Sequence, residues 1–149
     1  MPDLLALDTN VYITAFRNAD RLVRLKRFLI RAGLKIRLPA IVALELRAGA
    51  RTSAQQSAVR DLLAAYVPRD RVLVPSFTAY AESGRVLGEL AVREGVDLAR
   101  AGSLVNDVLL AASCREAGAR LVTENVRDFA AVQRYLRGFR FASADETLQ

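Results

Sequence analysis

The 149-residue sequence predicts one α/β domain, a three-layer α/β/α sandwich around a mostly parallel central sheet. Two patterns point there. Short apolar runs, too brief for helices, alternate with longer stretches in which apolar residues recur every three or four positions. The first run, Leu4 to Leu7, is apolar throughout rather than alternately, as in a strand covered on both faces. Crossover helices that cover a sheet in this way connect parallel neighbours.

The elements follow in order. Leu4 to Leu7 read as a buried strand, and Asp8-Thr9-Asn10 open the helix after it with polar capping residues. From Asp20 to Ala32 the apolar residues Leu22, Leu25, Phe28, Leu29 and Ala32 keep helical spacing, Arg24, Arg27 and Arg31 line another face, and Gly33 stops the helix. Lys35 to Leu38 form a second strand, and Pro39 opens a helix running to about Ala48. Val59, Leu62, Leu63 and Tyr66 mark a further amphipathic helix, which Pro68 ends. Arg71 to Val74 supply a third strand, followed by a long helix from Phe77 past Ala91 to a break at Gly95. Val96 to Gly102 is a loop. Ser103 caps a helix that passes Arg115 and closes at Gly118, Arg120 to Val122 make a fourth strand, and a last strand lies near Phe139 to Phe141.

Composition narrows the chemistry. A hydrophobic share of 52% with mean hydropathy near zero describes a soluble globular chain, and one domain of this length buries about two-thirds of its unfolded surface. No apolar run approaches the roughly 18 residues of a membrane span, and the N-terminal residues lack the pattern of a secretion signal. With Cys114 alone there is no internal disulfide, which suits a cytoplasmic setting. The net charge of +6, almost all of it arginine, favours a polyanionic partner, although a solvated basic surface has the same composition. Histidine is absent, so Ser-His-Asp catalysis and His-containing zinc sites are excluded and carboxylates are left as the reactive groups.

In a parallel α/β sheet the site lies beyond the carboxyl ends of the strands. Asp8 stands there, as a helix cap or as a ligand. Glu45 has Ile41, Val42, Ala48 and Gly49 as helical neighbours, and a carboxylate on such a face needs a cation, donors or an edge position beside Arg47 or Arg51. Asp107 repeats the anomaly among Leu104, Leu110 and Ala111, where the alternative role is to stabilise the first turns of its helix. Past the fourth strand, Thr123-Glu124-Asn125-Val126-Arg127-Asp128 brings Asn125 and Asp128 to the same end of the sheet, as ligands or as turn formers. Oxygen donors without histidine or paired cysteines favour a hard cation, Mg2+ or Mn2+, and phosphodiester cleavage is the leading chemistry. Carboxylates gathered without metal repel one another, so at least one of them has a raised pKa.

These motifs, in this order, resemble the PIN domain, specifically the VapC-type toxins of toxin-antitoxin pairs. The resemblance spans the chain: D-T-N at Asp8, Thr9 and Asn10; V-A-L-E-L-R-A-G around Glu45; N-D-V-L-L-A-A-S around Asp107; and L-V-T-E-N-V-R-D-F with Asn125 and Asp128. It implies three acidic ligands at Asp8, Glu45 and Asp107, supporting hydroxyls at Thr9 and Thr123, and Asp128 or Asn125 completing the site. Many relatives carry an acid where this chain has Asn125. The resemblance further implies cleavage of RNA, often tRNA or ribosomal RNA, a homodimer, and inhibition by a small antitoxin that occludes the acidic site. Arg24, Arg27 and Arg31, and later Arg134, Arg137 and Arg140, are candidate phosphate contacts or merely solvated charges. Apolar surface on the early helices is a candidate seat for an antitoxin helix.

Rival readings differ in specific residues. A haloacid-dehalogenase-type phosphatase needs a second aspartate where Asn10 stands, and a receiver domain needs an early acidic pair and a late lysine that have no counterparts here. A housekeeping PIN-type RNA-processing nuclease and a non-catalytic PIN-like scaffold binding RNA or protein remain alternatives to the toxin.

Overall fold

The computed structural model describes residues 3–149. Five parallel strands form the sheet: β1 (Leu4–Leu7), β2 (Ile36–Pro39), β3 (Val72–Leu73), β4 (Ala119–Thr123) and β5 (Phe141–Ser143). Among the described residues eight α-helices flank it: α1 (Thr9–Arg17), α2 (Ala19–Ala32), α3 (Ala40–Gly49), α4 (Ser53–Ala64), α5 (Phe77–Glu94), α6 (Gly102–Ala117), α7 (Val126–Gln133) and α8 (Ala144–Thr147). The expected three-layer α/β/α arrangement is present, and every strand pairing is parallel.

The strand order β3-β2-β1-β4-β5 places the functional end of the sheet. From β1 the chain builds outward through β2 and β3, then returns to the other side of β1 to lay down β4 and β5. The connections therefore reverse direction between β1 and β4, opening a crevice beyond their carboxyl ends. The pair is in register from Leu4 with Ala119 to Leu7 with Val122, and the Asp8 amide donates to the Val122 carbonyl at 2.9 Å. Asp8 and Thr123, the residues after this register ends, are thereby brought side by side.

The core explains why the sheet holds that position. Leu7, Ile36, Leu38, Leu121 and Val122 are essentially inaccessible on the strands, as are Val42, Val86, Leu90, Val108 and Leu110 on the helices. Helix α6 is buried without interruption from Val108 to Cys114 and packs on α3, α5, α7 and the sheet. A helix enclosed on most sides in this way shows little amphipathic pattern. Its first turns emerge from the core at the carboxyl end of the sheet, where Asp107 stands. The helix ends at Gly118, whose φ of +68° suits a residue without a Cβ.

Several local expectations are corrected. Ser103 does not cap α6, which begins at Gly102 with Ala101 in the cap position and no side-chain cap bond. Pro39 does open α3, as its N-cap residue, and is also the last residue of β2. The last strand lies at Phe141–Ser143, two residues later than the apolar run suggests. Phe139 is apolar for a different reason: it packs in a cluster with Phe129 and Phe141, at ring separations of 5.9 and 5.8 Å. The stretch after Asn125, read from the sequence as possible turn chemistry, is helix α7. Phe129 and Val132 bury one face of it, and Asp128 lies in the first turn, where a negative charge is favoured.

Candidate active site

Asp8 has the most constrained side chain of the candidates. It caps α1, its Oδ1 accepting from the Thr9 amide at 2.7 Å, so the capping role expected as one alternative is present. The second oxygen has other partners: Oδ2 accepts from Thr123 Oγ1 at 2.7 Å and from Asn10 Nδ2 at 3.2 Å. Only 6% of Asp8 is exposed. Burial raises its carboxyl above the ordinary value, the donors from Thr123, Thr9 and Asn10 oppose that rise, and the charge of Glu124 adds to it. A cap alone does not require a buried carboxylate with bonds to three residues.

Thr9 joins two acids. Its amide serves Asp8 while its hydroxyl donates to Glu45 Oε1 at 3.1 Å, bringing α3 to the start of α1. Glu45 is half-buried and forms no ion pair with Arg47 or Arg51. Burial is again the main cause of its raised pKa, the Thr9 bond lowers it, and the Asp8 charge raises it further. Asp107 carries the largest burden. Burial first, then the negative charges of Asp8, Glu45 and Asp128, push its carboxyl from 3.8 up to about 7. The rise expected of at least one carboxylate in a metal-free cluster thus occurs at three.

The corner beyond β4 is ordered by Thr123, which is wholly buried. Its hydroxyl donates to Asp8 and accepts from the Asn125 amide at 2.9 Å, while Asn125 Nδ2 donates to Asp128 Oδ2 at 3.0 Å. Glu124 has no anomaly of spacing or burial pattern that marks it in the sequence. It accepts from Thr14 Oγ1 at 2.8 Å, and its amide donates to Asn10 Oδ1 at 3.3 Å, fastening α1 to the end of β4. Its only signal in the sequence was its position between Thr123 and Asn125. Replacing Thr123 with valine leaves Asp8 Oδ2 and the Asn125 amide short of a partner, so the variant is expected to lose about 1–3 kcal/mol of stability. A lower urea midpoint at unchanged slope would register that loss.

The arginines lie elsewhere. Arg24, Arg27 and Arg31 line a hollow with Ile30, Leu148 and Gln149, whereas Arg134 pairs with Glu94 and Arg140 with Asp3. The Cys114 thiol is fully buried, and burial together with the Asp8 charge pushes it up to about 12, which makes it an inert core group.

Among the described residues no three His, Cys, Asp or Glu side chains come together as a group that could hold a metal ion. The donors nonetheless suit a hard dication. They are all oxygens, no cationic side chain among the described residues forms an ion pair with Asp8, Glu45, Asp107 or Asp128, and the Asp8 charge raises the pKa of both Glu45 and Asp107. Magnesium takes one or two protein carboxylates and completes its shell with water, so a loose cluster fits it better than a tight cage would.

The PIN domain model matches residues 5–135, and the chain belongs to the PIN domain family. No curated protein matches it. Among solved structures it is similar to DNA-bound VapBC from Salmonella typhimurium, with 22% identity and a TM-score of 0.71 over 96% of this chain and 99% of that one. VapBC-1 from nontypeable Haemophilus influenzae gives 22% and 0.65 over 95% and 98%. VapBC2 from Rickettsia felis, bound to a promoter DNA fragment, gives 21% and 0.62 over 94% and 98%. Likeness at these identities bears on the fold. No helix among the described residues is long and apolar enough to cross a membrane.

Proposed function

We propose that this protein is a Mg2+- or Mn2+-dependent endoribonuclease and the toxin of a type II toxin-antitoxin pair. The observation that carries the nuclease reading is Asp107, whose carboxyl is pushed up to about 7 by burial and by the charges of Asp8, Glu45 and Asp128, at the crevice between β1 and β4. Such mutual repulsion is tolerated at a site that meets a cation during its working cycle. PIN-domain nucleases typically use divalent metals, and here Asp8, Glu45 and Asp107 would hold the ion, with Asp128 and Asn125 beside it. When bound there, such an ion would activate a water for in-line attack on phosphorus and offset charge on the leaving oxygen. The chain's own groups do the positioning. Thr123 and Asn10 fix Oδ2 of Asp8, and Thr9 orients Glu45.

The antitoxin reading has two supports. The similar structures above are of VapBC complexes, and an apolar groove runs between α1, α3 and α4 toward Glu45, lined by Ile13, Phe16, Leu46, Ala58 and Val59. One face of an amphipathic helix suits such a groove, and a helix seated there would cover the approach to Glu45. A homodimer is supported by the exposed face of α5, where Phe77 and Val92 are each 86% exposed. Purified protein is expected to cut structured RNA with Mn2+ and not with EDTA, and Asp8→Ala to bind the same RNA without cutting it. Equal cutting by the variant, or cutting in EDTA, would remove the mechanism.

A further inference from the structure

The positive charge of this protein is concentrated in one part of the chain. Residues 9 to 75 hold thirteen basic and four acidic side chains, and the rest of the chain is net acidic. Eight arginines, among them Arg21, Arg85 and Arg93, are each paired with an acid. Arg24, Arg27 and Arg31 are exposed on one face of α2, and none is paired with an Asp or Glu side chain among the described residues. Like charges three and four residues apart repel and weaken the helix that carries them, so the row does not serve the stability of α2 itself.

The row lines a concavity. Opposite it lie Leu148 and Gln149, with Arg31 Nη2 donating to the Gln149 carbonyl at 3.3 Å, and Ile30 adds an apolar surface that is 81% exposed. At about 1.5 Å rise per residue, Arg24 and Arg31 are roughly 10 Å apart along the helix. The hollow also has a direction. Arg21, one turn before Arg24, is paired with Asp145 and lies within the field of Glu124, which stands at the rim of the candidate active site. The arginine row therefore leads away from that rim.

We propose that this hollow is a subsite for the RNA backbone, in which Arg24, Arg27 and Arg31 bind phosphates remote from the bond being cut. The proposal rests on the nuclease reading, since a long polyanion held at the crevice carries phosphates beyond it that need opposing charge. Guanidinium forks satisfy phosphate oxygens in pairs, and Ile30 gives a base a face to pack on. Three guanidinium groups in a row beside the exposed apolar face of Ile30 favour a nucleic-acid strand over an acidic protein.

The test measures binding of the full chain to a labelled single-stranded oligouridylate in EDTA, where nothing is cut, across a range of KCl concentrations. Each lost phosphate contact to a single strand removes about 0.7 from the slope of log affinity against log salt. The triple variant Arg24→Gln, Arg27→Gln, Arg31→Gln is expected to flatten that slope by about 2 and to bind roughly tenfold or more weakly at low salt. The matching lysine triple keeps the charges and is expected to stay near the wild-type slope, which separates lost contacts from a damaged fold. A control triple at the exposed Arg51, Arg60 and Arg69 removes equal charge away from the hollow and is expected to leave the slope nearly unchanged. An unchanged slope in the first triple, or an equal drop in the control, would overturn the subsite. So would loss of binding to polyglutamate with RNA binding intact, which would assign the hollow to an acidic protein. Wild type that binds RNA through these arginines yet cuts none with Mn2+ would sink the nuclease reading alone.

Discussion

Asp107→Asn is expected to abolish RNA cleavage while making the metal-free protein more stable at pH 8. The two effects have one cause. At that pH the Asp107 carboxyl, pushed up to about 7, is largely ionised among the charges of Asp8, Glu45 and Asp128. A carboxamide of nearly the same shape removes the charge and its desolvation cost, and leaves the packing of α6 in place. Because Asp107 is only partly buried, solvent screening limits the gain, and a rise of a few degrees in melting temperature is the expected reading. The cost falls on catalysis. Losing about 4 kcal/mol of transition-state stabilisation at a ligand position slows cleavage by about three orders of magnitude. A variant less active and less stable would mark Asp107 as a structural residue instead.

The second large effect is on the pH dependence of metal-free stability. The folded-state pKa of Asp107 lies above the ordinary value of 3.8, so between these two values the folded protein holds more protons than the unfolded chain. Stability from this group is complete below about 3.8 and is lost as the pH rises through about 7. Asp8 and Glu45, also raised, contribute with the same sign. Melting temperature in EDTA is therefore expected to fall from pH 5.5 to pH 8. Added Mn2+ should have little effect at the lower pH, where Asp107 must first give up a proton, and should raise the melting temperature at the higher one. A metal-free melting curve that rises over this interval would contradict the raised pKa values.

Much of the candidate site was legible because it breaks local rules. Glu45 and Asp107 interrupt apolar helical faces, and a buried charge without a local partner announces a distant one. Asp8 was legible through β1, whose unbroken apolar run fixes where the strand ends. What stayed hidden depends on long-range contacts. Asn125 and Asp128 have the chemistry of turns, and only the burial of Phe129 and Val132 against the core shows that they open a helix. Glu124 becomes a site residue through Thr14 and Asn10, more than a hundred positions away in the chain, which no spacing rule reaches. In the same way the arginine face of α2 reads as solvated until Leu148 and Gln149 close one side of it.

The most direct test of a shared ion is calorimetric titration of Mn2+ into the wild-type protein, Glu45→Gln and Asp107→Asn at pH 8. Wild type should show saturable binding, and each substitution should weaken it by at least about tenfold, since the two carboxylates approach from different helices. Binding of equal strength in all three proteins, or no saturable binding in the wild type, would contradict it.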